Sequence, residues 1–202
     1  VRRSGGRRGV RVDARMRIAA TDGCWGASGE VLVGGSGPTG LMAGVTAAEA
    51  GADVILAEED SALGGRLLSE AGEIDGMPAR DWAEQMQAKL DAMDNVRIMT
   101  RTSVTGAYDG GTYGALERVA HHKPLAKGLA KECFWKIAAK RTVLAAGALE
   151  RPIAFQNNDR PGIMMASAVR SYVNRWNVAP GQKGVLFGNN DSIHDVAADL
   201  LA

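Results

Sequence analysis

Six residues, Gly35-Ser36-Gly37-Pro38-Thr39-Gly40, carry the G-x-G-x-x-G spacing that suits the pyrophosphate of a dinucleotide. Gly35 allows a tight turn, Gly37 lets a phosphate approach the backbone, and Gly40 lets the next helix pack closely on the preceding strand. Pro38, inside the turn, belongs to the same candidate contact set. The helix that opens there points unpaired N–H groups and the positive end of its dipole at the anion. Glu58 falls 18 residues after Gly40, where a second strand should end. A carboxylate in that place accepts hydrogen bonds from a ribose diol. Beyond it, Gly64-Gly65 would let the backbone pass close to the same ligand, with Arg66 placed for a phosphate or carboxylate. An ordinary turn is the other reading of these three residues.

A strand, a turn, a helix and a second strand are needed to position those groups. Residues 30–58, EVLVGGSGPTGLMAGVTAAEAGADVILAE, supply them in that order, with apolar VLV and VIL runs on either side of the helix. Val31 to Ala48 holds 18 residues without a charge, the length of a membrane span. Five glycines, a proline, a serine and two threonines make it too polar for one. Residues 79–93 set Trp82, Met86, Leu90 and Met93 at helical spacing, a core-facing stripe. Val96–Met99 reads as a third parallel strand. From 103 to 138 the pattern changes: SVTGAY, LERVAHH and ECFWKI predict a three-stranded antiparallel meander inserted between parallel strands. His121 and His122 have no acidic or thiol partner at ligand spacing and read as a solvated pair rather than a metal site. Thr142–Gly147 reads as another buried strand, ending in small residues that leave room for phosphates above it. A helix is expected over 166–176, a strand and turn over 184–191, and a helix over 192–201.

The expected fold is therefore α/β. A Rossmann-like FAD/NAD(P)-binding domain at 30–152 carries the meander, and 153–202 holds a connecting helix and the truncated start of a second dinucleotide-binding unit. A strand without partners cannot satisfy its edges, so poor solubility of the isolated chain is expected. Residues 1–29 form an Arg/Gly-rich leader, with seven arginines from Arg2 to Arg17 opposed only by Asp13. A nucleic-acid arm, a transit peptide and a disordered segment without a role are its three readings.

Composition narrows the classes further. The 202 residues are 46% hydrophobic and 23% charged with a formal net charge of +1, which suggests neither a nucleic-acid binder nor an enzyme of acidic substrates. Twenty-six glycines fit a fold with many close backbone approaches. Cys24 and Cys133 form no C-x-x-C, which excludes a thioredoxin-type pair and a zinc ribbon. Free thiols and no apolar signal segment imply the cytoplasm.

GGSGPTG, ALGGRLL, the strand-ending AAG, ERP and NNDRPGIM, in this order, resemble the two-dinucleotide-binding-domain flavoprotein reductases. More narrowly, the stretch from Val96 onward, with NNDRPGIM, YVNRWNVAPG and GNND together, resembles the alpha subunit of heterotetrameric sarcosine oxidase. That resemblance implies a complex that oxidatively demethylates sarcosine to glycine, reduces oxygen to hydrogen peroxide and passes one carbon to tetrahydrofolate. It implies NAD in this subunit, amine-oxidising flavin chemistry in the beta subunit, FMN at their interface, and gamma and delta subunits beside them. By position, Gly35, Gly37 and Gly40 would hold the pyrophosphate, Glu58 the adenosine ribose, and Gly64, Gly65 and Arg66 the cofactor's far side. Val104 would offer its backbone to the adenine and Gly147 would line the phosphate path. Ala146 departs from the family's threonine, and GNND lacks a full G-x-G-x-x-G. The resemblance implies no catalytic residue in this chain. Two other readings stay open: a large FAD-binding subunit of an amine, opine or proline dehydrogenase, and a non-catalytic scaffold.

Overall fold

Apolar runs long enough to bury both faces of a strand pair most readily in parallel, with helices crossing between them. The computed structural model, which describes residues 20–21, 24–122, 124 and 130–201, shows that arrangement. Strand β1 (Ala20–Thr21) leads into β2 (Cys24–Gly34), helix α1 (Pro38–Glu49) and β3 (Val54–Ala57). A single 3-10 turn (Gly65–Leu68) and a small hairpin, β4 (Glu73–Ile74) and β5 (Met77–Pro78), precede α2 (Ala79–Asp91) and β6 (Val96–Met99). Then come β7 (Thr102–Tyr108), β8 (Thr112–Glu117) and β9 (Cys133–Leu144). Helix α3 (Ala166–Arg170) continues as a wider π-helical turn through Arg175, and α4 (Ser192–Leu201) follows.

Among the described residues, seven strands make one mixed sheet in the order β6-β3-β2-β9-β8-β7, with β1 paired antiparallel to β2. Strands β6, β3, β2 and β9 run parallel, and β9, β8 and β7 run antiparallel. One face is covered by α1 and α2 through Val33, Leu41, Val45, Leu56, Trp82 and Leu90. Full burial of each such Leu contributes roughly 1.5–3 kcal/mol. The other face gathers Leu32, Ile55, Met99, Ala115, Trp135 and Ile137. Asn95 ties the two crossovers together, its amide donating to the carbonyls of Ala48 at 2.9 Å and Ala52 at 2.8 Å.

The parallel strands, both crossover helices and the antiparallel meander form as expected, with four differences. First, the third meander strand and the strand at 142 are one element. β9 alternates buried Cys133, Trp135, Ile137 and Ala139 with exposed neighbours, and pairs β8 on one side and β2 on the other. Second, β8 begins at Thr112 rather than Leu116, because Gly110 and Gly111, at φ +67° and +69°, reverse the chain at once. Third, residues 184–188 form no strand: Val185 is 95% exposed and Phe187 68%. No neighbouring strand is available to pair with them among the described residues, and an unpaired strand leaves its backbone groups unsatisfied. Fourth, at the other end, β2 starts at Cys24, so residues 24–29 belong to the sheet. The arginine run Arg2–Arg17 lies outside the described residues.

Candidate functional site

Strand β2 delivers Gly34 to the edge of the turn and α1 starts at Pro38, with Gly37 as its N-cap. No side chain caps this helix and no acidic residue lies in its first turn, so its leading N–H groups face outward. The three motif glycines sit in different surroundings, and packing requires glycine at two of them. Gly35 sits at φ +97°, and a Cβ there would lie 2.4 Å from the carbonyl oxygen of Ala145. A Cβ on Gly40 would lie 2.0 Å from the carbonyl oxygen of Gly35, which locks helix against turn. A Cβ on Gly37 would meet no atom within 4 Å. Packing does not demand a glycine at 37, so the open space above it is available to a ligand.

Glu58 directly follows β3 and is 7% exposed. Its Oε2 accepts from the Ser36 N–H at 2.8 Å and the Ser36 hydroxyl at 2.5 Å, and its Oε1 accepts from the Asp60 N–H at 2.8 Å. The carboxylate is thereby bonded to the glycine turn itself, with acceptor capacity left on Oε1. Gly64, at φ +125°, donates its N–H to the Ser36 carbonyl at 3.0 Å. Gly65 brings its Cα against Gly37, where an added Cβ would lie 3.1 Å from the Gly37 Cα. Gly35, Gly37, Pro38, Gly40, Glu58, Gly64 and Gly65 therefore converge on one place.

Val104 lies on edge strand β7. The Thr102 N–H turns away from β8 and donates to the Glu58 carbonyl at 2.8 Å. Backbone groups alternate sides along a strand, so Val104 turns its N–H and C=O to the same side as Thr102. The ladder breaks immediately after it, between Val104 and Gly106. Arg66 and Gly147 stand less close. Arg66 is exposed and pairs with Glu70 at 2.8 Å, while Gly147 lies three residues past the end of β9 at φ +69° with open space beside it. Both small residues that follow β9 lie against the turn: the Ala145 Cβ is 3.4 Å from where a Gly40 Cβ would sit, and the Ala146 Cα is 3.1 Å from where a Gly35 Cβ would sit.

Ser36, Asp60 and Arg175 complete the constellation, and none stood out in the sequence. Arg175 grips Asp60 with two bonds, Nη1 to Oδ2 at 2.6 Å and Nη2 to Oδ1 at 3.0 Å. The guanidinium, helped by the Ser61 N–H and opposed by burial, holds the Asp60 carboxyl down at about 2, and Asp60 in turn raises Arg175. A separation of 115 residues leaves no local pattern for this pair. Two hollows, of about 300 and 350 Å³, flank the 3-10 turn and the C-terminal helices, and neither is lined by Gly35, Gly37 or Glu58. The first is lined by Arg66, Glu70, Arg170, Asp195 and Asp199, of which Arg66 and Arg170 pair with Glu70 and Arg170 pairs with Asp199. His121 is in ion-pair geometry with Glu132 at 2.9 Å, and no group of three or more metal-ligating side chains gathers among the described residues. No helix among them is long and apolar enough to cross a membrane.

A family model described as FAD dependent oxidoreductase matches residues 30–160. The chain belongs to that family. As a member of it, the chain has a site whose residues fit the group: uncapped helix N–H groups, open space at Gly37 and a carboxylate at the strand end. It is similar to sarcosine oxidase subunit alpha of Rhizobium meliloti (strain 1021), 48% identical over 174 residues, and to that of Corynebacterium sp. (strain P-1), 45% identical over 176. Each match covers 86% of this chain and 18% of the relative, so the chain spans under a fifth of their length. The solved L-proline dehydrogenase from P. horikoshii is 27% identical at a TM-score of 0.70, covering 87% of this chain and 34% of that one.

Proposed function

We propose that this chain is the dinucleotide-binding portion of a sarcosine oxidase alpha-like subunit. Identity of 48% over 174 residues carries the reading. In it, Gly35, Gly37, Pro38 and Gly40 cradle the pyrophosphate, Glu58 takes the adenosine ribose, and Gly64, Gly65 and Arg66 border the far side. The Val104 backbone meets the adenine and Gly147 lines the phosphate path. The family description names FAD, while the sarcosine oxidase reading puts NAD in this subunit, so NAD is the ligand expected under this proposal and FAD the ligand expected under its rival. A bound flavin supplies the two-electron acceptor for amine oxidation, whereas this chain's residues bind and orient the dinucleotide. In the whole cytoplasmic complex, beta, gamma and delta subunits, FMN at an interface and tetrahydrofolate complete the demethylation of sarcosine to glycine. Residues 30–152, with the sheet residues 24–29 that precede them, serve as the binding domain, and 153–202 supply a connecting helix and, without the strand expected at 184–188, only an incomplete start of a second unit.

The test is to purify the protein, release its ligand by heat, and identify it by absorbance and mass. NAD without flavin supports the sarcosine oxidase arrangement. FAD retained by this subunit alone favours a second reading, a large subunit of a related amine or proline dehydrogenase, for which the proline dehydrogenase likeness speaks. If neither dinucleotide binds, or if Gly37→Val binds as tightly as the wild type, the cofactor reading falls.

A further inference from the structure

Glu58 and Asp60 place two carboxylates two residues apart, with the Asp60 N–H donating to Glu58 Oε1. One guanidinium answers them. Arg175 forks onto both Asp60 oxygens, and its Cζ lies 4.7 Å from the centroid of the Trp176 ring. The pair is partly shielded, with 17% of the Arg175 side chain and 33% of the Asp60 side chain exposed. Its neighbours along the same helix hold the far end of the segment. Asn174 donates to the Ser69 carbonyl at 2.9 Å, Ser171 bonds the Ser69 hydroxyl at 3.1 Å, and Arg170 lies 3.6 Å from Glu70. One helix thus grips residues 60–70 at both ends, and Gly64 and Gly65 lie between the two grips.

We infer that Arg175, acting through Asp60, is a positioning residue that sets the ribose-binding carboxylate of Glu58. This rests on the reading of Glu58 as the ribose acceptor. Asp60 is tied to Glu58 through its own N–H, so the fork that fixes Asp60 also fixes the donor on Oε1. Oε2 is already held by Ser36, and the carboxylate is left in one orientation for an incoming diol. Without Arg175, the Asp60 carboxylate loses both bonds of its fork and can turn, and the donor on Glu58 Oε1 is no longer held in place. A residue that merely pinned two segments together would weaken every ligand of the site alike. A positioning residue for Glu58 weakens only ligands that use the diol.

Titration of the intact chain with ADP and with 2′,3′-dideoxy-ADP separates the two, since ADP is common to FAD and NAD. The wild type should prefer ADP by roughly 10–100-fold, the effect of hydrogen bonds to a charged acceptor. Arg175→Gln should cut that preference to about threefold or less while changing dideoxy-ADP affinity by less than about twofold, and Glu58→Gln should do the same. Arg175→Lys, which keeps the charge and loses the fork, should give an intermediate preference, and it decides the matter if Arg175→Gln does not fold. Equal weakening of both ligands, with the preference intact, overturns the inference and leaves Glu58 as the ribose acceptor. A wild type that shows no preference overturns the Glu58 reading itself, and the role of Arg175 with it.

Discussion

Two glycines three residues apart should fail in opposite ways. On Gly40 a Cβ would lie 2.0 Å from the Gly35 carbonyl oxygen and 2.9 Å from its carbon, against an ordinary contact of 3.4 Å or more. Both atoms are backbone, so no rotamer change relieves the clash, and the turn must give by more than about 1 Å. Overpacking of this kind costs about 1–3 kcal/mol or more, and the better helix propensity of alanine offsets at most about 1 kcal/mol. Gly40→Ala should therefore lower Tm, by about 2–4 °C for each kcal/mol lost. Gly37 has φ −62° and ψ −179°, which any residue adopts, and a Cβ there meets nothing within 4 Å. Gly37→Ala should cost under about 1 kcal/mol of stability, the size of a changed helix cap. It should nevertheless weaken ADP binding by about tenfold or more, since the added methyl occupies the space left for the pyrophosphate. Thermal melts followed by near-ultraviolet circular dichroism, with calorimetric titration of ADP, give both numbers for both variants. The reasoning is refuted if Gly40→Ala melts with the wild type, or if Gly37→Ala binds ADP as the wild type does.

Leu90 is fully buried between α1, β3 and α2. Leu90→Ala should cost about 2–5 kcal/mol in denaturant melts, and a loss under about 1 kcal/mol would place the core elsewhere. Asn95→Ala removes the amide that serves the Ala48 and Ala52 carbonyls. A loss of about 1–3 kcal/mol is expected, with Asn95→Asp no better because it offers no donor. Asp60, held down at about 2 from an ordinary 3.8, contributes stability that is complete above the ordinary value and fades as pH falls toward 2. Acid melts between pH 4 and 2 should show that fall, and Asp60→Asn should flatten it; an unchanged slope would mean the Arg175 pair does not persist in solution.

Local pattern made much of this molecule legible. The glycine spacing announced the turn because φ +97° at Gly35 and close backbone approach at Gly40 are demands on single residues. The VLV and VIL runs announced parallel strands because strands buried on both faces need apolar residues without alternation. Trp82 and Leu90 announced α2 because both fall on its buried face. The break placed before Thr142 was wrong because exposed Lys140 and Arg141 interrupt the apolar pattern in the sequence, although the backbone ladder runs on through them.

The sequence by itself determined the turn, the crossover helices and an acidic residue at the strand end, each a consequence of backbone sterics or periodicity within a few residues. Only the tertiary structure decided that Ser36 bonds Glu58, that one strand joins the meander to the parallel sheet, and that residues 184–188 go unpaired. It alone brought Arg175 across 115 residues to Asp60. Contacts of that kind follow from how packed elements close the chain on itself, and loop closure depends so weakly on length that it leaves no mark in the spacing of residues.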